Sequence, residues 1–191
     1  MRPIPAFLLL LSLVAASFAN AQVSAYPTKP IRLIIPFPPG GSNDVVGRSI
    51  AAQLSQRLEK PVIVENVGGA GGLIGTEMAA KATPDGYTLV LISVAFAFNP
   101  SIYKLPYDPA TAFTPVAVLG AGPAVIAVTP GLPVNNLKDL IALAKEKPGS
   151  LNYATAGVGS FQHLASELFK QQANINMVHV PFKGAGRPWP T

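Results

Sequence analysis

A chain of 191 residues, 49% of them apolar, is long and hydrophobic enough to bury a core in one or two compact units. Its formal charge of +5 comes from lysines and arginines scattered singly along the sequence, which argues against a nucleic-acid-binding protein. The sequence contains no cysteine, so disulfides do not stabilise the fold.

The N-terminus has the pattern of an export signal. Arg2 provides a positive start, residues 6–19 are almost wholly apolar, and Ala19-Asn20-Ala21 has the small-x-small form that a signal peptidase cleaves. The apolar stretch is shorter than the roughly 20 residues that a membrane-spanning helix needs. We therefore predict a cleaved signal peptide over residues 1–21 and a periplasmic mature protein.

The first structural unit is predicted to be strand, helix, strand. Residues 31–35 are a continuous apolar run typical of a buried strand, and a loop over residues 36–42 follows. From Asn43 the apolar residues recur every four positions, which predicts an amphipathic helix ending near residue 60. These residues are Val46, Ile50, Leu54 and Leu58. Residues 62–64 form the next predicted strand, so the unit belongs to a parallel sheet.

The same alternation continues along the chain. Helices are predicted after the glycine-rich residues 67–72, after a cap at Asn136, and over residues 161–172; strands are predicted at residues 87–92, 151–154 and 177–180. Two further apolar runs occupy residues 116–119 and 125–128. The fold class is therefore α/β, with mainly parallel sheets in two lobes and a lobe change near residues 120–129.

Two turns share one design. Gly41-Ser42 and Gly159-Ser160 each lie between an apolar strand and the first turn of an amphipathic helix. A helix N-terminus presents unpaired N–H groups and partial positive charge, and glycine lets an anion approach them closely. Each turn is a candidate anion site; the alternative is that glycine and proline merely make tight connections.

Other chemistries lack their motifs. The glycine-rich turns do not fit GxGxxG or GxxxxGK[ST], so no nucleotide cofactor is expected. Ser160 lacks the flanking glycines of a hydrolase nucleophile, and no base and orienting acid are evident beside it. His163 and Glu167 lie four apart on a predicted helix, but the sequence offers too few further ligands for a metal site. We therefore do not expect an enzyme.

The chain resembles the Bug family of extracytoplasmic solute receptors, the binding proteins of tripartite tricarboxylate transporters. The resemblance rests on YPTKPIRLIIPFPPGGSNDVVGR, VIVENVGGAGGLIGTEMAAKATPDGYTL, NPSIYKLPYDPATAFTPVA, YATAGVGS and HVPFKGAG, which follow one another from about Tyr26 to Gly184. It implies a type II periplasmic-binding-protein fold, a small carboxylate as ligand, and membrane permease subunits as partners. The ligand classes left open are di- or tricarboxylates, acidic amino acids and aromatic acids.

The resemblance also implies a ligand-binding site built from three loops. The expected contacts are Phe37, Gly40, Gly41, Ser42, Asn43, Ser93, Ala95, Gly157, Gly159, Ser160 and His163. Phe37 and His163 are expected as walls of the pocket. Asp44 is assigned to the first helical turn, where its charge favours the helix dipole, rather than to the ligand.

The sequence departs from the family near its end. The expected organisation is a signal peptide (residues 1–21), a first lobe (22–122), an incomplete second lobe (123–183) and a divergent tail (184–191) containing Arg187-Pro188-Trp189-Pro190. Prolines oppose the helix that family members begin here, which predicts a truncated product. Two alternatives to a working receptor therefore stay open, a nonfunctional receptor fragment and a hydrolase-type enzyme using Ser160.

Overall fold

A computed structural model describes residues 26–185, so the predicted signal peptide and most of the divergent tail lie outside the described residues. Its first sheet contains β1 (Ile31–Ile35), β2 (Val62–Asn66) and β3 (Thr88–Val90), in the order β2-β1-β3. Both pairings are parallel, with Ile31 opposite Val62 and Arg32 opposite Thr88. The predicted strand–helix–strand unit is confirmed.

Helices connect these strands. α1 (Ser42–Leu58) joins β1 to β2, and a 3₁₀ turn (Ala70–Gly72) leads into α2 (Leu73–Ala80) before β3. β3 is followed by α3 (Ala95–Ile102), which the sequence patterns did not predict. The helix was missed because Pro100 lies inside it, and proline usually marks a helix end.

A second, smaller sheet contains the remaining strands. After α4 (Leu137–Glu146) come β4 (Asn152–Thr155), α5 (Phe161–Ala173) and β5 (Val178–Pro181). β4 and β5 pair in parallel. Asn136 caps α4 by accepting a hydrogen bond from the Asp139 N–H at 3.1 Å, as the sequence predicts.

Each sheet has its own apolar core. The first core consists of Ile31, Leu33, Ile35, Ala51 and Val62. The second consists of Ala144, Ile175 and Met177. The proposed lobe boundaries stay a prediction, but two separate cores agree with an α/β chain that folds around two sheets.

The buried face of α1 agrees with the prediction at Leu54 and Leu58, which pack against the first core, and differs from it in the N-terminal half of the helix. The helix buries Asp44, Gly47 and Ala51, whereas Val46 is 44% exposed. The reason is close packing, since a Cβ on Gly47 would lie 2.4 Å from Ile35 Cδ1. Because α1 approaches its sheet through Gly47, the neighbouring Val46 faces solvent.

The two apolar runs between the sheets have no regular structure. Val116, Val118 and Val125 are 84%, 92% and 83% exposed. Apolar residues are normally buried, so composition alone would predict that these runs lie in the core.

None of the helices in the described range 26–185 is long and apolar enough to cross a membrane.

Candidate functional site

The turn that follows β1 is held in place by the carboxylate of Asp44. One carboxylate oxygen accepts from the Gly40 N–H (2.9 Å); the other accepts from Arg48 Nε (2.9 Å) and Asn66 Nδ2 (2.9 Å). Asn66 Nδ2 also donates to the Phe37 carbonyl at 3.0 Å. The turn is therefore tied both to α1 and to the end of β2.

The environment of Asp44 keeps it ionised. Burial alone raises the pKa of this carboxyl, but the hydrogen bonds from Arg48, Gly40 and Asn66 outweigh burial and hold the pKa below its usual value. A negative charge in the first turn of a helix also interacts favourably with the helix dipole. Asp44 thus supports the turn, in agreement with its assignment from sequence.

The start of α1 leaves backbone donors available. Gly41 is the N-cap and makes no side-chain cap hydrogen bond. The first helical bond runs from the Val45 N–H to the Gly41 carbonyl at 3.0 Å, so the N–H groups of Ser42 and Asn43 have no partner within the helix.

The second glycine turn follows β4 and also leads directly into a helix, but here a serine side chain caps the helix. Ser160 is 1% exposed and caps α5 by accepting from the His163 backbone N–H at 3.3 Å. Gly157 has φ +123° and Gly159 has φ +78°, conformations that residues with a side chain rarely adopt. Thr155 Oγ1 accepts from the Gly157 N–H at 3.2 Å and so closes the turn.

Both helix starts open into one cleft of about 160 Å³. Its lining comes from the first turn, the end of the first sheet and the second turn; the residues are Phe37, Gly41, Ser42, Asn43, Ser93, Val94, Ala156, Ser160, Phe161, Gln162 and Ala185. The volume is below the roughly 300–1,000 Å³ of drug-sized ligand pockets, which suits a small ligand. No lysine or arginine is among these lining residues.

A second cavity of about 310 Å³ adjoins the cleft. Its lining comprises Phe37, residues 69–72, residues 156–158 and residues 181–183. Phe37 and Ala156 line both spaces, so they separate the two.

The two halves of the site touch directly. Tyr103 Oη donates to the Val158 carbonyl at 3.2 Å. A Cβ on Gly71 would lie 2.6 Å from the same carbonyl oxygen. The glycine-rich residues after β2 therefore form a contact surface for the second turn.

The structure brings together six of the eleven sequence-predicted site residues in the smaller cleft. They are Phe37, Gly41, Ser42, Asn43, Ser93 and Ser160. Gly157 lines the larger cavity, whereas Gly40, Ala95, Gly159 and His163 line neither. Gly40 donates to Asp44, and Gly159 donates to His163 Nδ1 at 3.4 Å.

Five residues of the cleft are not among the eleven predicted contacts. They are Val94, which lies between the predicted Ser93 and Ala95, and Ala156, Phe161, Gln162 and Ala185. Phe161 and Gln162 could have been found, because they are the first two residues of the helix that Ser160 caps. No sequence pattern marks Ala185 as a cleft residue, because it follows β5 and lies at the cleft only as a result of the tertiary fold.

The arrangement around Ser160 does not form a nucleophile–base pair. Its Oγ bonds to the backbone of His163, while the imidazole Nδ1 of His163 accepts from Gly159. Within residues 26–185 no three histidine, aspartate or glutamate side chains are placed to share a metal ion. What the site offers chemically is oriented N–H and O–H donors.

The protein has two parallel sheets and a cleft at two helix N-termini, an α/β architecture that is similar to that of solved periplasmic binding proteins. The sequence matches the tripartite tricarboxylate transporter family receptor over residues 46–189, and the chain belongs to this family. Proteins of this family are periplasmic solute-binding receptors, not enzymes. The resemblance and fold class predicted from sequence are confirmed.

Individual relatives agree with this assignment. The chain is 41% identical to protein BugT of Bordetella pertussis over 181 residues. The matched region covers 91% of this chain and 55% of BugT. The chain spans about half the length of the curated relatives it matches.

Three solved structures are similar in both sequence and fold. Rpa4515 of R. palustris with adipate has a TM-score of 0.80 and 37% identity, covering 83% of this chain and 54% of that one. MatC of Rhodopseudomonas palustris with bound malate has a TM-score of 0.78 and 32% identity, and the match covers 84% of this chain and 55% of MatC. The periplasmic binding protein BugD has a TM-score of 0.72 and 35% identity, with 83% and 54% covered.

Proposed function

We propose that this protein binds the carboxylate of a small organic acid in the cleft between its two glycine turns, as the receptor of a tripartite tricarboxylate uptake system. One observation carries the proposal, namely that the N-termini of α1 and α5 line the same cleft. Two helix starts facing one space create a positive potential without a formal cation.

The donors that we propose for the carboxylate are backbone N–H groups and one hydroxyl at the two helix starts. The backbone N–H groups of Ser42 and Asn43 belong to one helix start, and those of Phe161 and Gln162 to the other. The Ser160 hydroxyl accepts from the His163 N–H, and the described contacts leave its own proton for a ligand oxygen. Each charge-assisted hydrogen bond of this kind is worth about 1.5–3 kcal/mol.

The remaining predicted residues shape the site. Gly40, Gly157 and Gly159 allow the two turns to adopt left-handed backbone conformations, and Pro38 and Pro39 restrict the first turn before binding. Preorganisation of this kind lowers the entropy lost on binding. We assign Phe37, Ser93 and Ala95 to the walls and support of the cleft.

The comparisons support a small carboxylate as the ligand class. Rpa4515 and MatC are described with adipate and malate, both dicarboxylates. We extend this chemistry to the present chain, with export by residues 1–21, periplasmic action and membrane permease subunits as partners. The ligand itself lies among dicarboxylates, tricarboxylates, acidic amino acids and aromatic acids.

The test is a calorimetric titration of wild-type protein and Gly41→Val with adipate, malate, citrate, glutamate and benzoate. Gly41 is buried and lines the cleft at the N-terminus of α1, so we expect an isopropyl group there to take up space that the ligand needs. We expect the wild type to bind at least one acid and the variant to lose at least about a hundredfold in affinity, equivalent to two charge-assisted bonds.

The matched control is Gly120→Val. A Cβ on Gly120 meets nothing within 4 Å, and this glycine is outside the cleft lining. Its affinity should equal that of the wild type. Undiminished binding by Gly41→Val would remove this turn from the site, and a wild type that binds none of the five acids would refute the proposed function.

A further inference from the structure

Behind the second glycine turn lies a cluster of three stacked rings. His163 of α5 and His179 of β5 stack with ring centroids 4.3 Å apart and planes 25° apart. Tyr153 of β4 also stacks on His179, with centroids 5.0 Å apart and planes 18° apart. None of the three residues lines the cleft or the adjoining cavity.

Both imidazoles hydrogen-bond to the turn. His163 Nδ1 accepts from the Gly159 N–H at 3.4 Å. His179 Nε2 lies 2.7 Å from Thr155 Oγ1, which in turn accepts from the Gly157 N–H at 3.2 Å. The histidines therefore fix the two glycines whose left-handed conformations give the turn its shape.

The bond to Gly159 requires a neutral His163. Nδ1 has one lone pair, and it accepts the Gly159 N–H only while it carries no proton. His179 differs, because an imidazolium Nε2–H still donates to the Thr155 hydroxyl. Histidine is the side chain that ordinarily changes charge between about pH 5 and 8.

The polar groups that face the two imidazoles come from α5 and β4. Glu167 of α5 accepts from Tyr153 Oη of β4 and from Lys170 Nζ of α5, the latter at 2.8 Å. The Glu167 carboxylate favours a charged imidazole, whereas Lys170 disfavours one. Burial, repulsion from His163 and repulsion from Lys170 lower the pKa of His179, with Glu167 opposing them. Two stacked imidazolium rings also repel each other, so the stack favours at most one positive charge.

We propose that His163 is a positioning residue whose neutral form holds the Gly159 turn ready for a carboxylate and whose protonation releases it. The inference rests on the proposed function, because the turn that His163 supports carries Ser160 and the start of α5. Binding is then strongest near neutral pH and falls on acidification. His163 acts from behind the turn and does not touch the ligand.

The direct test needs no ligand. Amide and imidazole chemical shifts of the wild type, followed by NMR from about pH 8 to pH 5, should show the Gly159 N–H titrating together with His163. In His163→Asn the Oδ1 atom replaces Nδ1 as a non-titrating acceptor, and the Gly159 shift should become independent of pH. His163→Gln is the second variant in case His163→Asn does not fold.

The matched control is His179→Gln, which keeps a polar partner for Thr155. There the Gly159 N–H shift should still follow that of the His163 imidazole, because His163 is unchanged. A Gly159 shift that does not follow His163 in the wild type, or that titrates unchanged in His163→Asn, would overturn the proposal.

A second arm measures affinity for adipate at about pH 7.5 and pH 5.5 by calorimetry. Protonation of adipate itself affects the wild type and His163→Asn equally, so its contribution cancels when the two proteins are compared. We expect the wild type to lose roughly tenfold more affinity than the variant. Equal losses overturn the proposal; absence of adipate binding in both, with the NMR result intact, supports the positioning role and counts against the proposed function instead.

Discussion

Replacing Asp44 with alanine is expected to lower the free energy of unfolding by about 3 kcal/mol and to abolish carboxylate binding. Asp44 is only 4% exposed and accepts hydrogen bonds from Gly40, Arg48 and Asn66. Its removal leaves the Gly40 N–H without its acceptor and takes one of the two acceptors of the Asn66 amide, so the first turn loses its tie to α1 and keeps only the Asn66–Phe37 hydrogen bond to β2. Urea denaturation measures the stability, and the acid panel used for Gly41→Val measures binding.

Asp44→Asn is the matched control. Its amide oxygen can still accept from Arg48 and Asn66, whereas its NH₂ group cannot accept from the Gly40 N–H, so we expect a smaller loss of stability than with alanine. A binding-competent Asp44→Ala protein of wild-type stability would show that the Asp44 network does not hold the turn.

The same carboxylate predicts an acid-dependent stability. The pKa of Asp44 is lowered in the folded protein from an ordinary value of 3.8. Its stabilisation is therefore complete above the ordinary value and is lost as the pH falls through the folded value. Urea unfolding from about pH 6 to pH 2.5 should show the difference between wild type and Asp44→Asn shrinking towards the acid end. A difference that stays constant would contradict the assignment of a charged Asp44.

Gly157→Ala is expected to have the second large effect, a loss of about 3 kcal/mol in stability from backbone strain together with loss of binding. Gly157 has φ +123°, and a Cβ there would lie 2.9 Å from the Phe182 carbonyl oxygen. The chain after β5 and the second turn would have to separate, which moves Ser160 out of the cleft. Thermal unfolding and the acid panel measure the two losses.

Gly149→Ala is the control that has a positive φ angle but no steric clash of the new Cβ with the backbone. Gly149 has φ +76°, but a Cβ there meets only the Asn176 amide at 3.6 Å. This variant should lose only about 1 kcal/mol, the cost of a left-handed alanine, and retain wild-type binding. Equal effects of the two substitutions would show that the Phe182 contact is unimportant.

Local patterns were sufficient for the two elements that carry the first glycine turn, but not for α3, which follows the cleft-lining Ser93 and Val94. The apolar run before Pro36 and the amphipathic stretch after Asn43 predict β1 and α1, and the structure confirms both, with α1 beginning at Ser42 rather than Asn43 and ending at Leu58 rather than near residue 60. These signals are local, because a buried strand and a capped helix each depend on residues close in sequence.

Packing details escaped the same patterns. Val46 points to solvent because Gly47 brings α1 close to Ile35, and the approach of two elements cannot be read from either one alone. The exposed valines at positions 116 and 118 are a similar case. Their composition favours burial, but the described fold offers no surface to cover them.

The candidate site divides in the same way. Glycine, serine and a following helix indicated two anion-binding turns, since the donors belong to consecutive backbone groups. The sequence could not show that the turns share one cleft, that Asn66 ties the first turn to β2, or that His163 stacks on His179.

The sequence by itself determined the α/β alternation, the two glycine-rich helix starts and the family, because each is written in residues that are neighbours along the chain. Only the tertiary structure decided that Ser42 and Ser160, 118 positions apart, line the same cleft, and that His163 supports the turn from behind. Contacts over such separations follow from how two sheets and their helices pack, and packing depends on the whole chain at once.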